Sequence, residues 1–353
     1  MLFFSCFYVI CLLTDENGND IVKCTCESIA IRRDFVLEDL TMKRKNIIRI
    51  LMLLLSLLLF MTGCSNSIGE ADDERLKVYT SFYPMYDFTT KIAGDKVAVY
   101  NMVPSATEPH DWEPSASDIV KLENGDLFVY NGAGMENWVD SVLATLENKN
   151  LLVIEASKGI ELLDGHEHDE DDHGHDHYHG EYDAHVWTDP MNAKIEMKNI
   201  LEGLIQIDPA NKEYYQVNYE KYSKELDNLD EEFRSTISNL PNKDIVVSHM
   251  AFSYMSNAYG LNQIAINGLS PDSEPGGSRM GEITKFVNDH NIKVIFFEEL
   301  VSPKIAQAIA NETGAEVEVL NPLEGLSDEE LQNGDDYFSV MRKNLQALKK
   351  ALQ

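Results

Sequence analysis

Cysteine is missing from most of this chain. The five present, Cys6, Cys11, Cys24, Cys26 and Cys64, all lie at or before residue 64 of 353, so no disulfide framework can staple the main body. Positive charge is scarce as well. Lys and Arg number 29 against 60 Asp and Glu, for a formal net charge of −31. Neutralising phosphates needs basic surface, which excludes DNA or RNA as the main partner, whereas an acidic surface suits cations. No His-Glu-x-x-His pair occurs, and His166-Glu167-His168 has the wrong spacing for one. A secreted zinc hydrolase is thus a remote alternative, and no enzymatic role is expected. What is present is a 44% share of hydrophobic residues, enough for real cores in a chain long enough for two domains.

The N-terminal region reads as an address. Met42-Lys-Arg-Lys-Asn-Ile-Ile-Arg49 is a basic opening. An apolar run follows over 50–61, broken only by Ser56, then Thr62-Gly63-Cys64 and a polar stretch. A charged segment, a short apolar segment and small residues before a cut make a secretory signal, too short to span a bilayer comfortably. The cysteine after the small pair resembles the lipobox of bacterial lipoproteins, with Met61 where Leu is usual. In such proteins that cysteine is acylated and becomes the first mature residue. The reading is a signal peptide over 42–63, lipidation at Cys64 and a tether over 64–75. Residues 1–41 stand upstream of a complete signal and read as a start assigned too early, or as an extension. Residues 1–63 carry seven basic and seven acidic side chains, so the whole −31 belongs to the remainder.

From residue 76 on, short β-rich runs alternate with helical patterns. Strands are expected at 76–82, 96–103, 126–130 and 151–155. The helices between them are expected at 84–93, stopped by Gly94, at 116–122, capped by Ser115, and at 136–146. The second half repeats the rhythm, with strands at 244–248, 263–266, 293–298 and 316–320. Its helices run up to Tyr259 and over 280–290, 303–313 and 335–352. A βα series implies parallel sheets covered on both faces. The expected fold class is α/β, with two similar lobes over 76–207 and 242–353. Between them, over 208–241, Asp208 and Pro209 open a helix. Tyr215, Tyr219, Tyr222, Leu226, Leu229, Phe233, Ile237 and Leu240 make one apolar stripe along it. At 1.5 Å per residue it is about 48 Å long, a rigid link that limits lobe motion.

Ten histidines divide into three groups. Six, His166, His168, His173, His175, His177 and His179, share residues 164–183 with nine carboxylates and no Lys or Arg. Such a tract cannot pack a core and reads as an auxiliary loop that attracts additional, weakly held metal ions. His290 lies near a helix end and reads as surface. The remaining three stand at strand-to-helix junctions: His110 in Glu108-Pro-His-Asp-Trp-Glu-Pro-Ser115, His185 in Asp183-Ala-His-Val-Trp-Thr-Asp-Pro190, and His249 after Ile245-Val-Val-Ser248. Open parallel sheets place ligands at the carboxyl ends of their strands, so a cation held by all three would lie in the cleft between lobes. A closed tetrahedral site needs a fourth donor. Glu298, Glu299 and Glu324 each follow a strand of the second lobe and stay open on this ground. Asp189 and Glu108 are candidates for orienting the rings. Trp112 and Trp187 flank the ligand segments and are as compatible with packing.

Taken together, the lipobox, these three motifs and Ser273-Glu-Pro275 resemble the metal-specific solute-binding lipoproteins of zinc and manganese ABC transporters, over about residues 76–353. The resemblance implies two α/β lobes joined by a long rigid helix with the metal between them. Three histidine positions match the family's zinc branch, in which the fourth donor is the Glu of a Pro-Leu-Glu segment, here Glu324. It further implies Zn2+ as the bound ion, a membrane permease and its ATPase as partners, a lipid-anchored extracytoplasmic location and a monomeric chain. A manganese-binding protein of the same family and a surface adhesin are the alternatives.

Overall fold

The computed structural model of the chain describes residues 74–165, 182–269, 271 and 275–353, together with 13–14 and 20–21. The signal peptide, Cys64, the tether up to residue 73, the six loop histidines, and Ser273 and Glu274 of the Ser-Glu-Pro motif lie outside the described residues. The chain divides into two units, Met1–Asp72 and Asp73–Gln353. In the first, β1 (Leu13–Thr14) and β2 (Asp20–Ile21) pair antiparallel.

The second unit holds two four-stranded sheets, each parallel throughout. The first has the order β4-β3-β5-β6, from β3 (Lys77–Thr80), β4 (Ala98–Asn101), β5 (Leu127–Tyr130) and β6 (Leu152–Glu155). The second has the order β10-β9-β7-β8, from β7 (Asp244–Val247), β8 (Asn262–Ala265), β9 (Val294–Phe297) and β10 (Glu316–Val319). Leu-Phe-Val-Tyr, Asp-Ile-Val-Val and Val-Ile-Phe-Phe are apolar runs because central parallel strands are covered on both faces. The edge strand Glu-Val-Glu-Val alternates in sequence instead, and Glu316 at its start is exposed.

In the first lobe the strands are joined by α1 (Tyr83–Ala93), α2 (Ala116–Glu123) and α3 (Val139–Thr145), and α4 (Pro190–Ile207) follows the last strand. Gly203 lets α4 lie directly on β6, since a Cβ there would stand 2.7 Å from the Ile154 side chain.

The link between lobes is shorter than the stripe suggests. A 3-10 turn, Pro209–Asn211, precedes α5 (Lys212–Ser238), whose 27 residues span roughly 40 Å. Asp208 is the reason for the separate turn. Its carboxylate accepts from both Asn211 Nδ2 and Tyr215 Oη at 2.6 Å, and so folds back the residues before the helix. On α5, Tyr215, Leu226, Leu229, Phe233 and Ile237 are fully buried. They meet α4 and α1 on one side, and α6 (Ser253–Tyr259) and α10 (Tyr337–Ala351) on the other. One core therefore runs from Val78 of the first sheet through Phe233 to Ile245 of the second. A helix resting loosely on one lobe would not produce this.

The second lobe is completed by α7 (Gly277–Asp289), α8 (Lys304–Thr313) and α9 (Asp328–Asn333). The sequence reading did not anticipate α9. Its six residues are too few for a periodic stripe, although its Ser327–Glu330 capping box is formed.

Candidate metal centre

The site is assembled from the carboxyl ends of five strands. Strand β7 is followed by Ser248 and His249, and its sheet neighbour β9 by Glu298, so these two side chains stand next to each other. After β10, the segment 320–326 carries Glu324. After β4, the irregular segment 102–115 carries His110. After β6 the chain returns at Asp183, and His185 opens the 3-10 turn Val186–Thr188 that leads into α4.

His110, His185, His249 and Glu324 converge on one point. The Nε2 atoms of His110 and His185 are 3.1 Å apart, and those of His185 and His249 3.3 Å apart. Glu324 Oε1 lies 3.1, 2.8 and 3.2 Å from Nε2 of His110, His185 and His249. Donor atoms bound to zinc at about 2.0–2.1 Å in a tetrahedron stand about 3.3 Å from one another, so the set fits a closed four-coordinate site. His185, His249 and Glu324 are buried, and the His110 side chain keeps 14% of its surface exposed.

Two rings have a carboxylate behind them. Asp183 Oδ1 lies 2.8 Å from His185 Nδ1 and also accepts from the His185 backbone N–H at 2.8 Å. Glu298 Oε2 lies 2.7 Å from His249 Nδ1, and its Oε1 accepts from the His249 backbone N–H at 3.2 Å. Asp183 by a hydrogen bond and Glu298 by its charge favour the ring proton on Nδ1, which leaves the Nε2 lone pairs facing inward, toward each other and toward a carboxylate oxygen. Lone pairs so crowded need a cation among them.

In the absence of a metal, protons compete for that role. Burial works to lower the His249 imidazole, but the charges of Glu298 and Glu324 outweigh it and raise it well above its ordinary value. Burial likewise opposes, and Asp183 overcomes, a rise at His185. At His110 burial prevails over Glu324 and the imidazole is lowered. Glu324 is held well below the usual carboxylate range, because the charges of His249 and His110 overcome its burial.

The remaining site candidates do not touch the imidazole nitrogens. Asp189 caps α4 by accepting from the Met191 N–H at 2.9 Å. Glu108 accepts from the His110 backbone N–H at 3.1 Å, not from its ring. Burial first, and the Glu324 charge second, push Glu108 up to about 9. The ring partners are Asp183 and Glu298 instead. Asp183 had a signal in the sequence, since an Asp two residues before a His can turn back onto it. Glu298 was visible as a candidate donor, but its place behind His249 depends on the pairing of β7 with β9. Glu299 is exposed. Trp112 packs edge-on against Trp138, with ring centroids 5.5 Å apart. His290 is half-exposed, 2.7 Å from Asp244, and stacks on Phe286.

Residues 78–351 match the family described as "Zinc-uptake complex component A periplasmic". Over 300 residues the chain is 44% identical to the high-affinity zinc uptake system protein ZnuA of Bacillus subtilis (strain 168), covering 83% of this chain and 94% of that protein. The crystal structure of the Zn(II)-bound ZnuA-like domain of Streptococcus pneumoniae AdcA superposes with a TM-score of 0.68 at 38% identity, over 79% of this chain and 99% of that one. The laminin binding protein Lmb of Streptococcus agalactiae, described as bifunctional with adhesin and metal transporting activity, superposes with a TM-score of 0.68 at 36% identity, over 79% and 100%.

Proposed function

The chain belongs to the periplasmic zinc-uptake complex component A family, and from that premise we propose that it captures Zn2+ outside the cytoplasm and delivers it to a membrane permease. The observation that carries this reading is the convergence of three imidazole nitrogens and one carboxylate oxygen within bonding range of a single ion. Three nitrogens and one oxygen suit zinc, whereas manganese prefers oxygen-rich sites. Four protein donors leave no open coordination position for a substrate, so the site suits carriage rather than hydrolysis.

The steps follow from the residues. Cys64, acylated, holds the protein at the outer face of the membrane. The acidic surface and the loop histidines 166, 168, 173, 175, 177 and 179 concentrate cations near the cleft. Zinc then reaches His110, His185, His249 and Glu324, and its arrival displaces the protons held there. His110, the one donor with exposed surface, marks the side from which metal arrives and leaves. The loaded form docks on an ABC permease driven by its ATPase.

Calorimetry on the chain with the His-rich loop deleted tests the reading. One tight zinc equivalent is expected for the parent, and its loss in His249→Ala. Unchanged tight binding in that variant sinks the assignment. The likeness to Lmb supports a second reading, adhesion to a host matrix. A growth assay in zinc-depleted medium separates the two: added zinc rescues loss of a transport protein and does not restore lost adhesion.

A further inference from the structure

We propose that Trp187 is a positioning residue that holds the Pro322–Leu323 peptide, and through it the Glu324 carboxylate, against the three imidazoles; this rests on the zinc-capture reading above. Trp187 lies two residues after His185. Its ring is fully buried, edge-on to Phe82 at 4.9 Å and 5.4 Å from the His185 ring. Its indole Nε1–H donates to the carbonyl of Pro322 at 2.7 Å. Its own carbonyl accepts from Tyr337 Oη at 2.7 Å, which anchors the tryptophan from α10.

The peptide that receives this bond is unusual. Leu323 has a φ of +64°, in the left-handed region that leucine rarely adopts. The peptide before it is gripped at both ends, its oxygen by Trp187 and its N–H by Asn321 Oδ1 at 2.7 Å. Asn321 is itself locked by Asn344, which accepts from its backbone N–H at 2.9 Å and donates to its carbonyl at 2.7 Å. Both asparagines are buried. The Asn321 grip thus comes from the second lobe and the Trp187 grip from the first. Ala106 N–H also ties the first lobe to this segment, donating to Leu326 O at 3.1 Å, but it bears on the far side of Glu324.

Releasing the carbonyl lets the peptide turn over, which carries Leu323 back to negative φ and swings Glu324, the next residue, out of register with the Nε2 atoms. Through Trp187, the segment that supplies His185 controls the donor supplied by the other lobe. A buried indole needs a partner for its N–H in any case, so core packing alone would also produce a bond. The two accounts differ in whether the effect passes through Glu324.

The experiment is a double-mutant cycle on the intact chain with Trp187→Phe and Glu324→Gln, reading zinc release to a chelator and the absorption of the Co2+-loaded protein. Phenylalanine keeps a ring against Phe82 and removes only the donor end. Release is expected about tenfold faster in Trp187→Phe, at the low end of the effect of removing a partner outside the donor set. Its cobalt bands should weaken toward those of Glu324→Gln. In the Glu324→Gln background the same change should add nothing. An equal factor in both backgrounds, or unchanged release and cobalt bands in Trp187→Phe, overturns the proposal. If Trp187→Phe does not fold, Tyr337→Phe loosens the same tryptophan and must show the same dependence on Glu324; a factor independent of Glu324 overturns the proposal there too. Failure of zinc capture itself looks different: Glu324→Gln and His249→Ala would then bind zinc as the parent does.

Discussion

The two lobes share one strand order and use it differently. In each sheet the lobe's first strand lies between its second and third, giving β4-β3-β5-β6 and β8-β7-β9-β10. The crevice at the carboxyl ends of the first and third strands is where open α/β sheets bind ligands. In the second lobe that crevice holds His249 and Glu298. In the first it holds Ser81 and Asn131, closed by Glu136, which accepts from Ser81 Oγ at 2.6 Å, Asn131 N–H at 2.8 Å and Gly132 N–H at 3.0 Å. One crevice cradles a metal donor and the other is plugged by a self-satisfied polar group. The first lobe supplies its donors from its second and fourth strand ends, with His185 placed as Glu324 is in the other lobe. Topology offers equivalent positions, and the loops decide which of them do chemistry.

Substitutions at the two crevices test this contrast. The largest effect is expected for His249→Ala, with zinc affinity falling by more than the roughly 100-fold upper range for partners outside the donor set. Glu298→Gln should follow at about 10- to 100-fold, measured by chelator competition. The same change in the other crevice, Glu136→Gln, should leave zinc affinity alone. It should lower thermal stability by about 1–3 kcal/mol, because an amide NH2 now faces the Gly132 N–H. A drop in zinc affinity for Glu136→Gln would erase the contrast.

Acidity sharpens it further. His185 and His249 are raised by the carboxylates behind them after those overcome burial, so protons compete with zinc from above the ordinary imidazole value downward. Zinc affinity is expected to be level at alkaline pH and to fall as the pH drops. In Glu298→Gln the fall should begin at lower pH, since His249 has lost its main charge partner. Titrations at a series of pH values check the order of onsets.

The smallest effect is expected inside the first lobe. Glu196 on α4 is fully buried, and neither carboxylate oxygen has a partner among the described residues. Burial first, and the Glu136 charge second, raise it well above the usual carboxylate range. A group raised in the folded state contributes stability that is complete below its ordinary value and is lost as pH rises through the raised one. Glu196→Gln should therefore melt like the parent below about pH 4 and increasingly above it toward mild alkali, by a few degrees.

Much of this was legible before any coordinates. Apolar runs such as Val-Ile-Phe-Phe mark covered parallel strands, and Gly94, Gly260 and Gly314 mark helix ends. Three histidines at strand ends stand out once the acidic tract is set aside. Other features were hidden because they depend on which strands become neighbours. Glu298 changes from a candidate donor to a ring partner only when β9 is seen beside β7. Asp189 looked like a ring partner by proximity in sequence, but the demand of α4 for an N-cap claims it. The bond from Trp187 to Pro322 spans 135 residues of sequence, and no local pattern reports it.

The continuous core along α5 has a thermodynamic consequence. Two lobes that share one core melt as one, so heating should give a single calorimetric transition rather than two. A ligand that binds only the folded form stabilises it by about 4 kcal/mol when free zinc exceeds its dissociation constant a thousandfold, and so raises the midpoint of that whole transition. Zinc held by four side chains thereby protects every helix and strand at once. When the metal is scarce, the unloaded molecules are the ones most open to proteolysis, and the surviving stock of carrier follows the supply of its cargo.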